Sequence, residues 1–369
     1  MFIRFTLSLK FVLINSHMKQ LVFFFVIAFM ILSCKKDIVM PEDYSNEVSD
    51  SRMLLVLSAP SVDDKYYESA FADIVEFQIN YALSIIGNDN VIIIVDKKTR
   101  KHYEGRVPGD ILLTANIYDI WMRDFTTVNP IAPVQFKYSY ASMTETDSKE
   151  VQASFDRFAD RYEVERSITD FVIDGGNIVD NYAGRAITTQ RFLLDNNLEV
   201  YTAKEELKKL LGASEVAIIP SDEPILAHAD GMVMWVENNV LLVNDYSSDP
   251  GFRSKVVDEL NWSFPGVNII EVPVKYDTNE VTEWIGFESA CGVHLNSTVT
   301  FNNVYVPTFG MSHDSAAVDM IRNSTDKLVI EVDASGVCAM GGSVRCLTWQ
   351  VAGDNAERLI EATRFRQGK

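Results

Sequence analysis

A pattern that repeats five times constrains the fold of this chain more than any other feature. In each repeat an amphipathic helical stretch precedes a short, continuous apolar run of strand character. Runs of this length are typical of strands buried on both faces of a sheet. The helical stretches and their strands lie at 67–86 and 91–95, 151–162 and 171–173, 203–211 and 216–220, 252–260 and 267–274, and 315–321 and 328–332. Five such units predict a repeat architecture of α/β class.

Several of these strands are accompanied by a second strand. The clearest case is the run 232–236, which a Glu-Asn-Asn turn connects to the run 240–243. Two apolar runs joined by a short polar turn predict a β-hairpin. The repeating unit is therefore expected to be ββαβ-like.

The N-terminal segment carries export signals. An unbroken apolar run at 21–32, with Lys19 before it, is shorter than the ~20 residues that span a bilayer and fits the core of a signal peptide. Ser33 and Cys34 follow in the arrangement of a bacterial lipobox, so cleavage before Cys34 and its lipidation are expected. An ordinary signal peptide with an incidental cysteine is the alternative. The expected organisation is a signal peptide at 1–33, a polar tether at 34–51 and one folded domain at 52–369, held on the bacterial cell envelope.

The charge of the chain excludes one class of partner. The sequence has 52 acidic and 33 basic residues, a formal net charge of −19, and the mature chain carries −22 because residues 1–33 hold three basic side chains and no acidic one. Such a field repels nucleic acid and attracts small cations, and no cluster of Lys and Arg acts against it. The 47% hydrophobic content indicates a folded globular protein.

Cysteine and histidine content limits the redox and metal chemistry. Three cysteines remain besides Cys34: Cys291, Cys338 and Cys346. An odd number in an exported protein indicates a free thiol, and we expect Cys291 and Cys338 to pair while Cys346 stays free. No Cys/His spacing is typical of zinc, so no metal is expected, and His294 and His313 are interpreted as structural or exposed.

Polar motifs come after the strands of the five units. The most informative is the Gly-rich turn 340–346, which ends in Cys346. The other motifs, in chain order, contain Asp124, Asp174, His228 with Asp230, and Asn296. A ring of five units would bring these ends to a common axis. One shared site therefore explains the motifs better than five separate causes.

These side chains together suit one kind of substrate. Cys346 is a thiol nucleophile, and His228 and Asp230, two residues apart on an extended segment, are expected to face one cavity. Carboxylates such as Asp124 and Asp174 bind a planar guanidinium through paired hydrogen bonds. Thiolate attack on the guanidinium carbon, with the histidine moving protons, is covalent catalysis.

Each residue alone also has a structural explanation. Cys346 fits a small buried side chain after a loop, and Asp124 fits a surface ion pair with Arg123. Asp174 fits a turn cap, and His228 fits a buried core histidine. The functional hypothesis therefore depends on the set and not on any one member.

The ordered set of motifs resembles that of the agmatine deiminase and bacterial (Porphyromonas-type) peptidylarginine deiminase family. The matching segments are Trp-Met-Arg-Asp at 121–124, Asp-Gly-Gly-Asn at 174–177, Ile-Thr-Thr-Gln at 187–190, His-Ala-Asp-Gly at 228–231, Asn296, Val-Pro-Thr-Phe-Gly at 306–310 and Gly-Gly-Ser-Val-Arg-Cys at 341–346. The similarity runs over roughly 54–350. The fold of that family is the pentein, a five-bladed α/β propeller, which agrees with the five units.

The resemblance implies a role for each matching residue. Cys346 corresponds to the nucleophile, His228 to the general acid/base, and Asp124 and Asp230 to the carboxylates that hold the guanidinium. Substrate binding is assigned to Trp121, Asp174, Asn177, Asn296 and Gly342. The implied reaction passes through a Cys346 thiouronium, releases ammonia, and gives citrulline from arginine in peptides or the carbamoyl derivative from agmatine. No organic cofactor is implied.

The chain departs from the family pattern at some positions. Arg345 stands where a histidine commonly precedes the nucleophile, and Asp174 stands where agmatine deiminases usually have glutamate. These departures leave two alternatives open: a guanidinium-binding surface lipoprotein with weakened catalysis, and an amidinotransferase. The segment 142–152 holds Lys149 but no arginine. The preference for C-terminal arginine that the resemblance implies is therefore less well supported for this chain. Because the leader argues against a cytosolic agmatine role, the substrate stays open.

Overall fold

The computed structural model describes residues 44–139, 144–275, 284 and 288–364. The predicted signal peptide, Cys34 and the first part of the predicted tether lie outside these residues. In the described part of the chain no helix is long and apolar enough to cross a membrane.

Along the described residues, α-helices separate groups of one to three strands. The strands are β1 (Leu54–Ser58), β2 (Asn90–Val95), β3 (Leu112–Thr114), β4 (Thr127–Val128), β5 (Val134–Lys137), β6 (Ser167–Val172), β7 (Val179–Asp180), β8 (Arg185–Thr189), β9 (Glu215–Ile219), β10 (Val233–Glu237), β11 (Val240–Asn244), β12 (Asn268–Val272), β13 (Thr298–Val299), β14 (Asn303–Thr308), β15 (Leu328–Asp333) and β16 (Trp349–Val351). The α-helices are α1 (Phe71–Ile85), α2 (Met122–Phe125), α3 (Glu145–Arg161), α4 (Arg191–Asn196), α5 (Val200–Leu211), α6 (Pro250–Ser263), α7 (Asp314–Arg322) and α8 (Gly353–Arg364).

One topology is repeated in five small sheets. In each sheet an antiparallel pair of strands is followed by a parallel pair, and the parallel strands are connected by helix. The strand orders are β16-β1-β2-β3, β4-β5-β6, β7-β8-β9, β10-β11-β12 and β13-β14-β15. The five predicted helix–strand pairs, the ββαβ unit and the β10–β11 hairpin are all confirmed. The fold class, an α/β pentein, is confirmed with them.

Local sequence signals position the helices that connect the parallel strands. Helix α3 begins after Thr144, whose side chain accepts a hydrogen bond from the Asp147 amide at 3.2 Å. Helix α6 begins after Asp249, which accepts from the Phe252 amide at 3.0 Å, and has Pro250 in its first turn. Both capping side chains accept a hydrogen bond from a first-turn amide that has no partner within the helix.

The prediction that the strands are buried on both faces is correct for some strands and wrong for others. Strands β1, β2 and β9 are buried along most of their length. Strands β6, β12 and β15 are partly exposed, because they are edge strands that pair on one side only. Strand β9 is also an edge strand, but helix α6 packs against it more extensively than any helix packs against β6, β12 or β15.

The end of the predicted tether belongs to the folded domain. Asn46 is 2% exposed, and its carboxamide exchanges two hydrogen bonds with the backbone of Val91, at 2.9 and 3.0 Å. Residues close to position 51 therefore pack against β2. Packed residues thus begin before the predicted boundary at residue 52. Burial of Asn46 could not be read from a short polar segment.

Candidate active site

The motifs of different units meet around Cys346. The Arg123 amide donates a hydrogen bond to the Cys346 carbonyl at 3.0 Å, and the Gly176 amide donates to Asp124 Oδ1 at 3.0 Å. The Arg345 amide donates to the Asn296 carbonyl at 3.1 Å. These contacts join segments that are distant in sequence, so the predicted common site is formed.

The Cys346 thiol is buried between an amide and a carboxylate. Asn296 Nδ2 lies 3.1 Å from Sγ, and Asp230 Oδ2 lies 3.9 Å from it. Asn296 is held in turn because its Oδ1 accepts from the Ser343 amide and hydroxyl, at 3.2 and 2.9 Å. Cys346 is a free thiol, and Cys291 and Cys338 form a disulfide, as predicted.

Two neighbouring glycines shape the turn before Cys346 for different reasons. Gly341 has φ +95°, a left-handed conformation that side chains disfavour. At Gly342 the constraint is space: a Cβ there would lie 2.5 Å from Trp121 Cζ3 and 2.9 Å from Cys346 Cβ. Gly342 therefore lets the indole pack directly against the nucleophile, which is a different role from the substrate contact predicted for it.

His228 lies between two carboxylates. Its Nε2 is 3.3 Å from Asp174 Oδ2, and its Nδ1 is 3.8 Å from Asp124 Oδ1. Burial alone lowers the pKa of His228, but the charges of Asp124 and Asp174 outweigh this effect and raise it to about 10. The ring is therefore an imidazolium at neutral pH and not a neutral core histidine.

The site holds excess negative charge that a bound cation would balance. Burial, opposed by His228 and assisted by Asp174 and Asp230, raises the pKa of Asp124 to about 7. Burial, then the charges of Asp230 and Asp124, raise the pKa of the Cys346 thiol well above its ordinary value. A guanidinium placed here would offset both effects, because it brings positive charge to the thiol and the carboxylates.

A cavity of about 550 Å³ opens onto these groups. The aromatic part of its lining consists of Tyr66, Tyr67, Tyr118, Trp121 and Tyr138. Its acidic part consists of Asp64, Asp119, Asp124, Asp147 and Glu150. Among the lining residues that the structure describes there is no Lys or Arg, and the lining includes His228 and Cys346. Trp121 and Asp124, which the sequence assigned to the site, both line the cavity.

Similarity to known proteins identifies the family of this chain. A model of the Porphyromonas-type peptidyl-arginine deiminase family matches residues 45–352. The chain belongs to this family. Its fold is similar to that of the C. jejuni agmatine deiminase, with TM-score 0.68 and 18% identity over 84% of this chain and 96% of that one. It is also similar to the agmatine deiminase of Enterococcus faecalis, with TM-score 0.65 and 16% identity over 85% and 95%. The class expected from the sequence, a hydrolase of guanidino C–N bonds, agrees with the family and the site.

Within this deiminase, Asp174 has a partner that the sequence did not reveal. The Ser139 amide donates to Asp174 Oδ1 at 2.8 Å, and the Ser139 hydroxyl donates to Oδ2 at 2.9 Å. Asp174 is therefore oriented towards His228 from one side and anchored from the other. No local signal identifies Ser139, because it precedes Asp174 by 35 residues.

Asn177 supports the deiminase site from behind. Its Oδ1 accepts hydrogen bonds from the amides of Thr189 and Ala229, at 3.0 and 3.2 Å. Both of these hydrogen bonds to the Asn177 oxygen come from backbone amides, and Asn177 does not line the cavity described above. Its observed role is to fix the segment that carries His228, which differs from the predicted substrate contact.

The Arg345 side chain points towards the active site. On an extended segment, the side chains of Arg345 and its neighbour Cys346 would point apart. The segment is instead a turn, with hydrogen bonds from Leu347 to Ser343 and from Thr348 to Arg345. Arg345 Nη1 consequently reaches Asp230 Oδ2 at 2.8 Å.

The alternative explanation of Asp124 as one half of a surface ion pair is wrong. Arg123 and Asp124 are neighbours, but Arg123 is 2% exposed and its guanidinium donates to the side chain of Gln350. Asp124 is thus left to face His228 and the cavity.

Proposed function

We propose that this protein is a deiminase for a guanidinium compound whose remote end is positively charged, as in agmatine. The observation that carries the proposal is the lining of the cavity, which adds four carboxylates to Asp124 and contains no Lys or Arg among its described residues. The acidic lining is the support for a positively charged remote end of the substrate. The family is the support for the deiminase reaction.

The first half-reaction uses Cys346 and His228. The positive charge of the bound guanidinium lowers the pKa of Cys346, and the thiol proton is released to water. The thiolate then attacks the guanidinium carbon, and the C–S bond forms as one C–N bond weakens. The His228 imidazolium gives its proton to the departing nitrogen, so ammonia leaves and a Cys346 thiouronium remains. The high pKa of His228 suits this acid role, because the ring carries a proton before the substrate reacts.

The second half-reaction returns the enzyme to its starting state. Neutral His228 takes a proton from water, and the resulting hydroxide attacks the thiouronium carbon. The C–S bond then breaks with its electron pair leaving on sulfur, the remaining hydroxyl proton passes to the Cys346 thiolate, and the ureido product leaves. The nucleophile paired with an acid/base therefore favours catalysis over guanidinium binding alone.

The charge of the cavity discriminates among substrates. A carboxylate on the substrate would enter a space already lined with carboxylates, and like charges a few ångströms apart repel by a few kcal/mol at a protein surface. Lys149, the basic residue of the 142–152 segment, pairs with Glu145 at 2.7 Å and does not line the cavity. An amine at the remote end is favoured by the same field.

The test is a substrate panel measured with the detergent-solubilised full chain. We expect kcat/KM for agmatine to exceed that for free arginine by at least ~10-fold, since ~1.4 kcal/mol is a factor of ten. Peptides with internal or C-terminal arginine complete the panel. Equal or higher values for free arginine would contradict the proposed charge preference, and no ureido product from any substrate would contradict the deiminase assignment.

Two variants separate the reaction from the charge preference. Cys346→Ala should abolish product while retaining the native circular dichroism. Glu150→Gln should raise KM for agmatine more than for an arginine peptide, whereas Glu361→Gln on the exposed face of α8 should change neither.

We further infer that the mature protein is anchored to the cell envelope through Cys34. The support is the lipobox-like sequence at the end of the apolar run, and a diacyl group supplies the two chains that stable anchoring takes. Cys34→Ala should move the protein from the membrane fraction to the soluble fraction. Unchanged sedimentation would contradict lipidation.

A further inference from the structure

A second cluster of ligand-type side chains lies outside the active site. It consists of His294, His313 and Asp314. One ring nitrogen of each histidine and one carboxylate oxygen lie within 4.8 Å of one another. The catalytic steps use none of these residues.

Two imidazole nitrogens in this cluster are buried without a hydrogen-bond partner. His294 is 2% exposed, its Nε2 lies 2.9 Å from Asp314 Oδ1, and its Nδ1 is unpaired. His313 Nε2 is also buried and unpaired. Leaving a buried polar atom unpaired costs roughly 1 to 3 kcal/mol, so two such atoms within one cluster favour a ligand that would bind both.

Both histidines border Gly292. A Cβ on Gly292 would lie 3.6 Å from His313 Nε2. The Gly292 backbone also lies within reach of the His294 ring, but no acceptor meets hydrogen-bond geometry at Nδ1. The two rings are nearly perpendicular, with centroids 5.5 Å apart. They therefore converge on one small region instead of stacking.

Asp314 is held rigidly in the cluster. Its Oδ2 accepts from the amides of Phe309 and Met311, at 2.9 Å each, while its Oδ1 contacts the His294 ring. A carboxylate that contacts a metal-binding imidazole fixes the orientation of the ring and raises its basicity. Asp314 is placed to do this, or to bind an ion itself through Oδ1.

We propose that His294, His313 and Asp314 form a site for a divalent transition-metal ion, with Zn²⁺ as the ion that fits this set of donors. Imidazole and carboxylate are common Zn²⁺ ligands, whereas Ca²⁺ and Mg²⁺ prefer oxygen alone. Zn–N bonds of ~2.0 Å place two ligands of one ion roughly 3.3 Å apart. The ligand atoms lie within 4.8 Å of one another, so they have to move closer together to bind one ion.

The position of the site connects it to the deiminase reaction without placing it in the chemistry. His294 lies three residues after Cys291, whose disulfide fixes one end of the segment. It lies two residues before Asn296, which contacts the thiol. A bound ion would therefore stiffen the backbone between the disulfide and Asn296.

The experiment measures Zn²⁺ binding by isothermal titration calorimetry on the full chain in detergent, without a histidine tag. We expect one Zn²⁺ per chain with micromolar or tighter affinity. His313→Ala should weaken it at least ~10-fold, in the range for lost metal-site partners. His102→Ala, which removes another half-buried imidazole, should bind as the wild type does.

A variant of the catalytic thiol tests whether Cys346 contributes to Zn²⁺ binding. Cys346→Ala should keep full Zn²⁺ affinity. Affinity that is lost in Cys346→Ala and kept in His313→Ala would overturn the proposal, as would the absence of binding by the wild type. His313→Gln, which keeps a polar side chain of similar size, should lose affinity too. Circular dichroism of both His313 variants distinguishes loss of the ligand from loss of the fold.

Discussion

Arg345 Nη1 lies 2.8 Å from Asp230 Oδ2, and both side chains are almost fully buried beside the nucleophile. The second terminal nitrogen of Arg345 donates to the Ile178 carbonyl at 2.7 Å. A guanidinium from the protein itself therefore occupies one oxygen of a carboxylate that the family resemblance assigned to the substrate. Asp124, which faces the cavity without an arginine partner, is left as the carboxylate most available to the substrate.

Arg345→Ala should destabilise the protein strongly. Removing one partner of a buried ion pair leaves an uncompensated charge, which costs about 3 to 5 kcal/mol of unfolding free energy. Urea unfolding measures this loss, and kcat/KM should fall with it because Asp230 is no longer held beside Cys346. Arg358→Ala is the matched control: its partner Glu165 is largely exposed, so the loss should stay below about 1 kcal/mol. Equal losses in both variants would contradict the assigned role.

Gly342→Ala should impair catalysis more than folding. The new methyl group would lie 2.5 Å from the Trp121 ring and 2.9 Å from Cys346 Cβ, so the indole or the nucleophile has to move. Overpacking of this kind costs roughly 1 to 3 kcal/mol, and kcat should fall at least ~10-fold, since a displacement of ~1 Å at a reacting group costs up to 10²-fold. Gly231→Ala, next to Asp230, is the control, because a Cβ there meets nothing within 4 Å. A similar kcat for both variants would show that space at Gly342 is unimportant.

The stability of the protein should fall between pH 8 and pH 10 because of His228. Folding raises the pKa of this residue from 6.5 to about 10. Its stabilising contribution is therefore complete below pH 6.5 and lost as the pH rises towards 10, since the unfolded chain has already released the proton. Asp124, with a pKa of about 7, is already largely ionised at pH 8. Its titration therefore contributes little between pH 8 and pH 10.

The measurement is urea unfolding of the wild type and of His228→Gln at pH 8, 9 and 10. The unfolding free energy of the wild type should decrease by up to about 1.4 kcal/mol per pH unit relative to the variant. Parallel profiles for the two proteins would mean that folding does not raise the pKa of His228.

Loss of the Cys291–Cys338 disulfide should weaken the segment that carries Asn296. The bond joins residues separated by 47 positions, and a native disulfide of this kind contributes about 2 to 4 kcal/mol. The double variant Cys291→Ala/Cys338→Ala should lose this much unfolding free energy, and reductant should not destabilise it further. Wild-type stability that is unchanged by reductant would contradict this contribution. Cys346→Ala, in contrast, should remain sensitive to reductant.

The sequence by itself determined the architecture and the main reactive groups. Helical periodicity, short apolar runs and turn residues are local signals. The same signals occur in each of the five repeats, so the ββαβ units were predictable. Cys346, His228 and Asp124 were identified because thiol, imidazole and carboxylate chemistry depends on residue type and on order along the chain.

Only the tertiary structure decided how these groups are held. Ser139 anchors Asp174, Asn177 supports the backbone behind His228, and Arg345 turns towards Asp230. Each of these contacts joins residues at least 35 positions apart. The direction of a side chain at a turn depends on backbone dihedral angles and on partners brought close by the fold, which no local pattern records. For the same reason, the sequence did not predict which strands lie at sheet edges or that His294 and His313 lie close together. Both depend on how distant segments pack in the tertiary structure.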